Sequence, residues 1–250
     1  MDKSLQPHIR VGKDIGIQYA LLPGDPGRVK TVAEFIDDPK EIAYNREYRS
    51  ISGSYRGIPI LVTSTGIGGA STGIAVEELK NIGVKAMIRI GSCGANQPGI
   101  RVGDLIIASG AVRNDGASAA YIDQSYPAVP DTDLLFHIAG AAKRLSYSHF
   151  KGLVRSHDSF YTDEEQLIDE YWAGKGILAS DMETAALFVI GGLRGVRTAS
   201  ILNVVVEKEE NLEGGINNYI DGDNAAKLGE EREIRTALEA IVSFHTSYHS

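Results

Sequence analysis

An arginine inside an apolar run is the first feature that points to chemistry. Arg89 lies in the run 86–90, which is typical of a buried strand, and the glycine turn 91–94 follows it. A buried guanidinium is costly unless an anion meets it. Because ligands of parallel sheets collect beyond the carboxyl ends of the strands, we expect Arg89 and this turn to form an anion site. A purely structural ion pair with a buried carboxylate is the alternative.

A second anion-binding element is predicted near the N-terminus. Residues 23–29 read PGDPGRV and lie between a strand predicted over 17–22 and a helix predicted to begin near Arg28. Free backbone N–H groups at Gly24, with the arginine beside them, would face an anion. An ordinary Pro-Gly turn that binds nothing is the alternative.

Two carboxylates flank a methionine at a predicted strand-to-helix junction, in Asp181-Met182-Glu183. Vicinal hydroxyl groups donate well to carboxylates, and methionine covers an apolar sugar face, so this segment would suit a polyol. Ser180 and Glu183 also have the spacing of a capping box, which gives Glu183 a structural role as the alternative.

The elements that must position these groups alternate between strands and helices. A strand over 61–65, a glycine turn, a helix and the strand 86–90 form a βαβ unit, and residues 42–57 favour hairpin-like strands. Residues 113–133 are predicted to form a long loop, and residues 207–223 are predicted to form a flap. Thr162 and Glu165 have the spacing of a capping box at the start of a helix. We therefore predict one α/β domain over residues 1–250, a three-layer α/β/α sandwich with a mixed central sheet.

Composition excludes several classes of protein. The formal net charge of −8 argues against a nucleic-acid-binding surface. The single cysteine fits a reducing cytoplasm, and we find no signal peptide and no apolar run long enough to cross a membrane. Ser71 stands where the dinucleotide-binding pattern requires a third glycine or alanine, which makes an oxidoreductase the weakest alternative.

Five motifs in register give the sequence a family resemblance. It resembles the nucleoside phosphorylases of the hexameric type, which include uridine phosphorylases and purine nucleoside phosphorylases, and it is most similar to the uridine enzymes. The motifs are Gly24-Asp25-Pro26-Gly27-Arg28, Asn45-Arg46-Glu47-Tyr48, Ser64-Thr65-Gly66-Ile67-Gly68-Gly69, Arg89-Ile90-Gly91-Ser92-Cys93-Gly94 and Asp181-Met182-Glu183.

The resemblance implies a reaction and a set of roles. Members cleave a nucleoside with inorganic phosphate as co-substrate, giving ribose 1-phosphate and free base, and need no other cofactor. It also implies a homo-oligomer, a dimer or hexamer, with shared active sites. The implied phosphate ligands are Gly24, Arg28, Arg89 and Ser92, with Arg46 from a neighbouring subunit. The implied ribose ligands are Ser92, Met182 and Glu183, with His8 from the neighbouring subunit. Positions that bind a monovalent cation such as K⁺ between subunits are matched by Glu47, Ile67 and Ser71.

The base is assigned from the positions where the sequence departs from its relatives. Phe160 would pack against the base, but Glu164 and Gln166 stand where enterobacterial uridine phosphorylases have glutamine and arginine. Gln166 has the donor and acceptor that uracil needs, although it falls in a predicted helix. The aspartate with which purine enzymes protonate the base is missing after the last strand, where Val204 and Val205 resemble an aliphatic pocket wall. We therefore predict uridine, with purine nucleosides as the alternative.

The catalytic prediction depends on three arginine side chains converging on one phosphate. Arg28, Arg46 and Arg89 are expected to meet one phosphate beside the ribose, which Glu183 holds in its reactive pose. Side chains that point apart, or that are each neutralised by an internal acid, would contradict it. A nucleosidase, which uses water, and a non-catalytic nucleoside-binding homologue are the remaining alternatives.

Overall fold

A nine-stranded mixed sheet runs through the computed structural model, which describes residues 5–208, 214, 217 and 224–249. The strands of these residues are β1 Tyr19–Leu22, β2 Asp37–Asn45, β3 Tyr48–Tyr55, β4 Ile58–Thr63, β5 Ala86–Ala95, β6 Leu105–Asn114, β7 His149–His157, β8 Ala179–Asp181 and β9 Arg197–Val206. Their α-helices are α1 Pro26–Ala33, α2 Gly69–Asn81, α3 Gly116–Tyr121, α4 Thr132–Arg144, α5 Glu165–Ala173, α6 Thr184–Leu193 and α7 Asn224–His249. The predicted flap, 207–223, lies mostly outside the described residues.

The strand order is β2-β3-β4-β1-β5-β8-β7-β6-β9, and β9 also pairs with β5. The second half of the sheet therefore closes on itself as a ring. Strand β1 pairs in parallel with β4 and β5, and β5 pairs in parallel with β9, so the carboxyl ends of these four strands share one edge. The hairpins β2–β3 and β3–β4 are antiparallel, as the early sequence pattern predicted.

Two apolar cores cover the two faces of the sheet. One packs α2 and α6 against the strands, and its fully buried residues include Leu79 and Phe188. The other packs α1, α4 and α7, with Val29, Ile138 and Leu238 among its buried residues. Helix α4 buries apolar residues on one side, as burial against a sheet requires, whereas α6 is apolar and buried along nearly its whole length. The three-layer α/β/α prediction with a mixed sheet is confirmed; the ring closure was not predicted.

Several helix starts follow from local side-chain chemistry. Asp25 accepts a hydrogen bond from the Gly27 N–H at 2.8 Å, with Pro26 as the first helical residue of α1. Asp131 caps α4 by accepting from the Leu134 N–H at 2.9 Å. These caps fix where each helix begins relative to the strand before it.

Some local predictions were wrong. Strand β5 continues to Ala95, so residues 91–94 lie inside the strand, because they pair with β8 and β9. The predicted loop 113–133 contains α3, which Asp115 caps through the Ser118 N–H at 2.6 Å. Thr162 donates to the Glu165 carboxylate rather than capping a backbone N–H of α5.

No helix among the described residues is long and apolar enough to cross a membrane.

Candidate active site

A large pocket opens at the shared carboxyl edge of β1, β5 and β9. Its volume is about 810 Å³, within the range of small-ligand sites. The predicted site residues that line it are Gly24, Arg28, Glu47, Ile67, Ser71, Arg89, Ser92, Phe160, Met182, Glu183 and Val205. The fold thus brings together most of the phosphate, ribose and base residues named from sequence.

Arg89 is the buried cation of this pocket. Its Nε lies 3.0 Å from Asp181 Oδ2 and its Nη2 lies 2.5 Å from Glu183 Oε2, while Nη1 faces the turn at Gly24. Burial alone would lower the pKa of Arg89, but the two carboxylates raise it above its ordinary value, so the guanidinium stays charged. The side chain folds over Gly91, where a β-carbon would lie 2.5 Å from its Cζ.

Asp181 and Glu183 accept hydrogen bonds from different parts of the fold. Asp181 accepts from Ser156 Oγ at 2.5 Å and from the Thr184 N–H at 3.1 Å, which makes Asp181 the group that caps α6. The predicted Ser180–Glu183 capping box is therefore wrong. Glu183 Oε1 instead accepts from the Gly68 N–H at 2.6 Å, which ties the junction to the glycine turn before α2. Burial raises the pKa of Glu183, and Arg89 opposes the shift.

Arg28 meets two acids of the last helix. Its Nη2 contacts Glu233 and its Nε lies 3.4 Å from Glu230 Oε1. Both Arg28 and Arg89 thus line one pocket and are each paired with internal carboxylates, because a buried guanidinium needs anionic partners. Two of the three arginines expected to converge therefore line one pocket in the single chain, and each of these two is already paired with internal acids, contrary to the expectation from sequence.

Of the predicted phosphate and ribose ligands, Arg46 and His8 lie outside the lining of this pocket within the single chain. Arg46 occupies the turn between β2 and β3 with φ 56°. His8 lies in the N-terminal segment, where its Nδ1 is 2.7 Å from Glu78 Oε1. Glu78 also accepts from the backbone N–H groups of His8 and Ile9, at 3.0 and 2.8 Å. No pattern in the sequence indicates this role for Glu78.

The side of the pocket at which the base is predicted to bind is aliphatic and aromatic. Phe160, Val205 and Val206 line it, while Val204, predicted to be a base contact, is fully buried in the core instead. Gln166 lies outside the lining, on the exposed side of α5, where its Nε2 donates to Glu170 Oε1 at 3.1 Å. Cys93 lines the pocket as well, but burial raises the pKa of its thiol, which makes it a poor nucleophile.

The comparison with known families is decisive. A model described as Phosphorylase superfamily matches residues 18–238. The chain belongs to this phosphorylase superfamily. It is 38% identical over 242 residues to a guanosine phosphorylase from Halorubrum lacusprofundi, with 95% of this chain and 98% of that protein covered. It is 38% identical over 253 residues to a uridine phosphorylase from Thermococcus kodakarensis, with 96% and 87% covered.

Structural comparison places this superfamily member beside a uridine phosphorylase. The crystal structure of the enzyme from Vibrio fischeri superposes with a TM-score of 0.91 at 45% identity, covering 97% of this chain and 99% of that one. The predicted resemblance to nucleoside phosphorylases, and the enzyme class it implies, are confirmed.

Sequence reasoning missed part of this superfamily member's pocket. His157 lines it, and its Nδ1 donates to the Ser159 carbonyl at 2.9 Å. Glu230 and Glu233 reach Arg28 from more than two hundred residues away, and only their helical spacing on one face of α7 was visible beforehand.

Proposed function

We propose that this chain catalyses the phosphorolysis of uridine by inorganic phosphate, giving ribose 1-phosphate and uracil. One observation carries the proposal. In a single pocket, Arg89 bridges the Gly24 turn and the Glu183 carboxylate, so an anion site and a hydroxyl-binding site lie side by side. The relatives named uridine phosphorylase support the choice of base.

Placement and charge supply most of the catalysis. Phosphate held by Arg89 Nη1 and the Gly24 turn becomes a positioned nucleophile, which replaces a two-body encounter. The ribosyl group gains oxocarbenium character as the glycosidic bond breaks, and the phosphate dianion beneath it stabilises that charge. Glu183 accepts from ribose hydroxyl groups while Met182 and Ser92 line the sugar site. Arg28 adds a second cation, sharing its charge between phosphate and the acids of α7.

A homo-oligomer with shared active sites, a dimer or hexamer, is part of the proposal. Arg46 and His8 lie outside the pocket of their own chain, which suits residues that serve the adjacent subunit. Light scattering combined with activity measurement tests this part. A fully active monomer would contradict it.

The proposal includes a monovalent cation, K⁺, at a subunit contact, and no other cofactor than the co-substrate phosphate. Glu47 Oε1 and Ser71 Oγ lie 2.8 Å apart, and oxygen donors of this kind suit a hard cation. Ile67, whose side chain is exposed, would contribute only its carbonyl oxygen. Activity that is equal in potassium and in choline buffers would remove the cation from the proposal. A cytoplasmic location is also proposed, on the strength of the one free thiol, Cys93.

The decisive assay follows uridine absorbance with and without phosphate. We expect turnover only with phosphate, together with formation of ribose 1-phosphate. Equal release of base in phosphate-free buffer would show a nucleosidase, and nucleoside binding without turnover would show a non-catalytic homologue. Either result would refute the proposed function.

A pair of variants ties the activity to the pocket. Arg89→Met should lower kcat/KM by roughly 10²–10³, since it removes a preorganised charged contact. Arg194→Met is the matched control, because Arg194 pairs with Glu77 on the surface. Its activity should equal that of the native chain.

Phosphorolysis of purine nucleosides is the second candidate. It is favoured by the guanosine phosphorylase of Halorubrum lacusprofundi, at 38% identity. A panel of uridine, thymidine, inosine and adenosine in the same assay ranks the bases.

A further inference from the structure

The two arginines that line the pocket are compensated by their acids in different ways. Both carboxylates that pair with Arg89 also accept hydrogen bonds from other groups of the fold. Glu233, the acid that Nη2 of Arg28 contacts, has no such additional donor. Apart from this ion pair, neither of its carboxylate oxygens has a hydrogen-bond partner among the described residues.

Glu233 is fully buried in apolar surroundings. Its neighbour on α7, Ile234, and the neighbour of Arg28 on α1, Val29, both belong to the apolar core on this face of the sheet. A carboxylate in such surroundings is costly unless a cation compensates it. Within the described part of the chain, the charge of Glu233 therefore depends on Arg28.

The guanidinium of Arg28 is turned towards α7. Its Nε lies 3.4 Å from Glu230 Oε1, its Nη2 contacts Glu233, and both of these nitrogens are buried. Arg28 nevertheless lines the pocket, so Nη1 is the end of the guanidinium that remains for a ligand there. One positive charge thus meets two negative charges within the chain.

A phosphate that binds to Arg28 adds further negative charge to this cluster. Like charges repel strongly in a partly buried site, because the surroundings screen them less than water does. Arg28 cannot compensate the phosphate and Glu233 fully at the same time, and Glu233 has no second donor among the described residues. Phosphate and Glu233 therefore compete for one guanidinium.

We propose that Glu233 is a positioning residue that competes with phosphate for Arg28 and thereby lowers the affinity of the site for this co-substrate. The inference rests on the proposed phosphorolysis and concerns the phosphate half of the same site. Glu233 acts through Arg28, which it draws towards α7.

Glu233→Gln tests the inference by the sign of its effect. The amide keeps the size of the side chain and loses its charge, so inorganic phosphate should bind about tenfold more tightly in titration calorimetry. In the uridine assay the phosphate KM should fall by the same factor, while kcat and the uridine KM should change less than about threefold. A carboxylate that only orients Arg28 for phosphate would give weaker phosphate binding and a lower kcat. That result, or an unchanged phosphate Kd, would overturn the inference.

Two further variants separate charge from packing. Glu231→Gln is the matched control, because Glu231 is exposed on the same helix, and its phosphate Kd should equal the native value. Glu233→Asp keeps the charge, so its phosphate Kd should stay within about threefold of the native value. A tenfold tightening in either variant would overturn the inference.

A substitution at the second acid covers the case in which Glu233→Gln does not fold. Glu230→Gln removes a charge 3.4 Å from Arg28 Nε and should tighten phosphate binding. We expect a change of at least about threefold, and an unchanged or weaker affinity would overturn the inference. A native chain that cleaves uridine only with phosphate upholds the proposed function whatever these variants show, so the two proposals can fail separately.

Discussion

Replacing Gly91 with alanine tests the position of the central cation. Because the side chain of Arg89 folds over Gly91, a new β-carbon would lie 2.5 Å from both Cζ and Nη2. Ordinary contacts of a β-carbon begin at 3.4 Å. The guanidinium must therefore retreat by about 1 Å, and a misplacement of that size costs roughly 10²-fold in rate.

We expect Gly91→Ala to lower kcat/KM for phosphorolysis about 100-fold, which equals about 2.7 kcal/mol of transition-state stabilisation. The assay is uridine absorbance across a phosphate titration, which separates phosphate KM from kcat. Gly192→Ala is the matched control, since its β-carbon would meet only the Tyr126 hydroxyl, at 3.5 Å. It should react at the native rate.

A double-mutant cycle tests whether the loss of kcat/KM in Gly91→Ala is caused by displacement of Arg89. Lysine at position 89 lacks Nη1 and Nη2, and its unbranched end can turn aside more easily than the planar guanidinium, so Gly91→Ala should cost less in an Arg89→Lys background. The reasoning is refuted if Gly91→Ala loses less than about threefold, or loses as much with lysine present as with arginine.

Three further perturbations follow from the contacts described. Glu78→Gln removes the charge that accepts from the His8 and Ile9 N–H groups, and should raise the uridine KM about tenfold and speed hydrogen exchange of those amides. Asp181→Asn breaks a buried ion pair and should lower the free energy of unfolding by about 3–5 kcal/mol in urea. Because burial raises the pKa of Asp169, its contribution to stability is present below pH 3.8 and is lost as pH rises through the raised pKa. Asp169→Asn should therefore be more stable than the native chain at about pH 7, in urea unfolding.

Each of these has an outcome that would contradict it. Unchanged exchange in the Glu78 variant would show that the N-terminal segment is held elsewhere. An Asp181 variant with native stability would mean that Glu183 alone satisfies Arg89. A stability difference for the Asp169 variant that does not shrink between about pH 7 and pH 4 would exclude titration as its cause.

The sequence by itself determined the strand and helix alternation, the glycine turn before α2 and the acids around Met182, because these depend on periodicity and local backbone chemistry. It also placed Arg89 in a core strand, where a charge needs a partner. Only the tertiary structure decided which carboxylates meet Arg28 and Arg89, since Glu233 comes from a distant helix and Asp181 from a short strand. The closure of β5 with β9 likewise depends on long-range pairing, and it is this pairing that leaves residues 91–94 inside the strand. Pairings between distant segments leave no local pattern in a single sequence, so these contacts became visible only when the chain was folded.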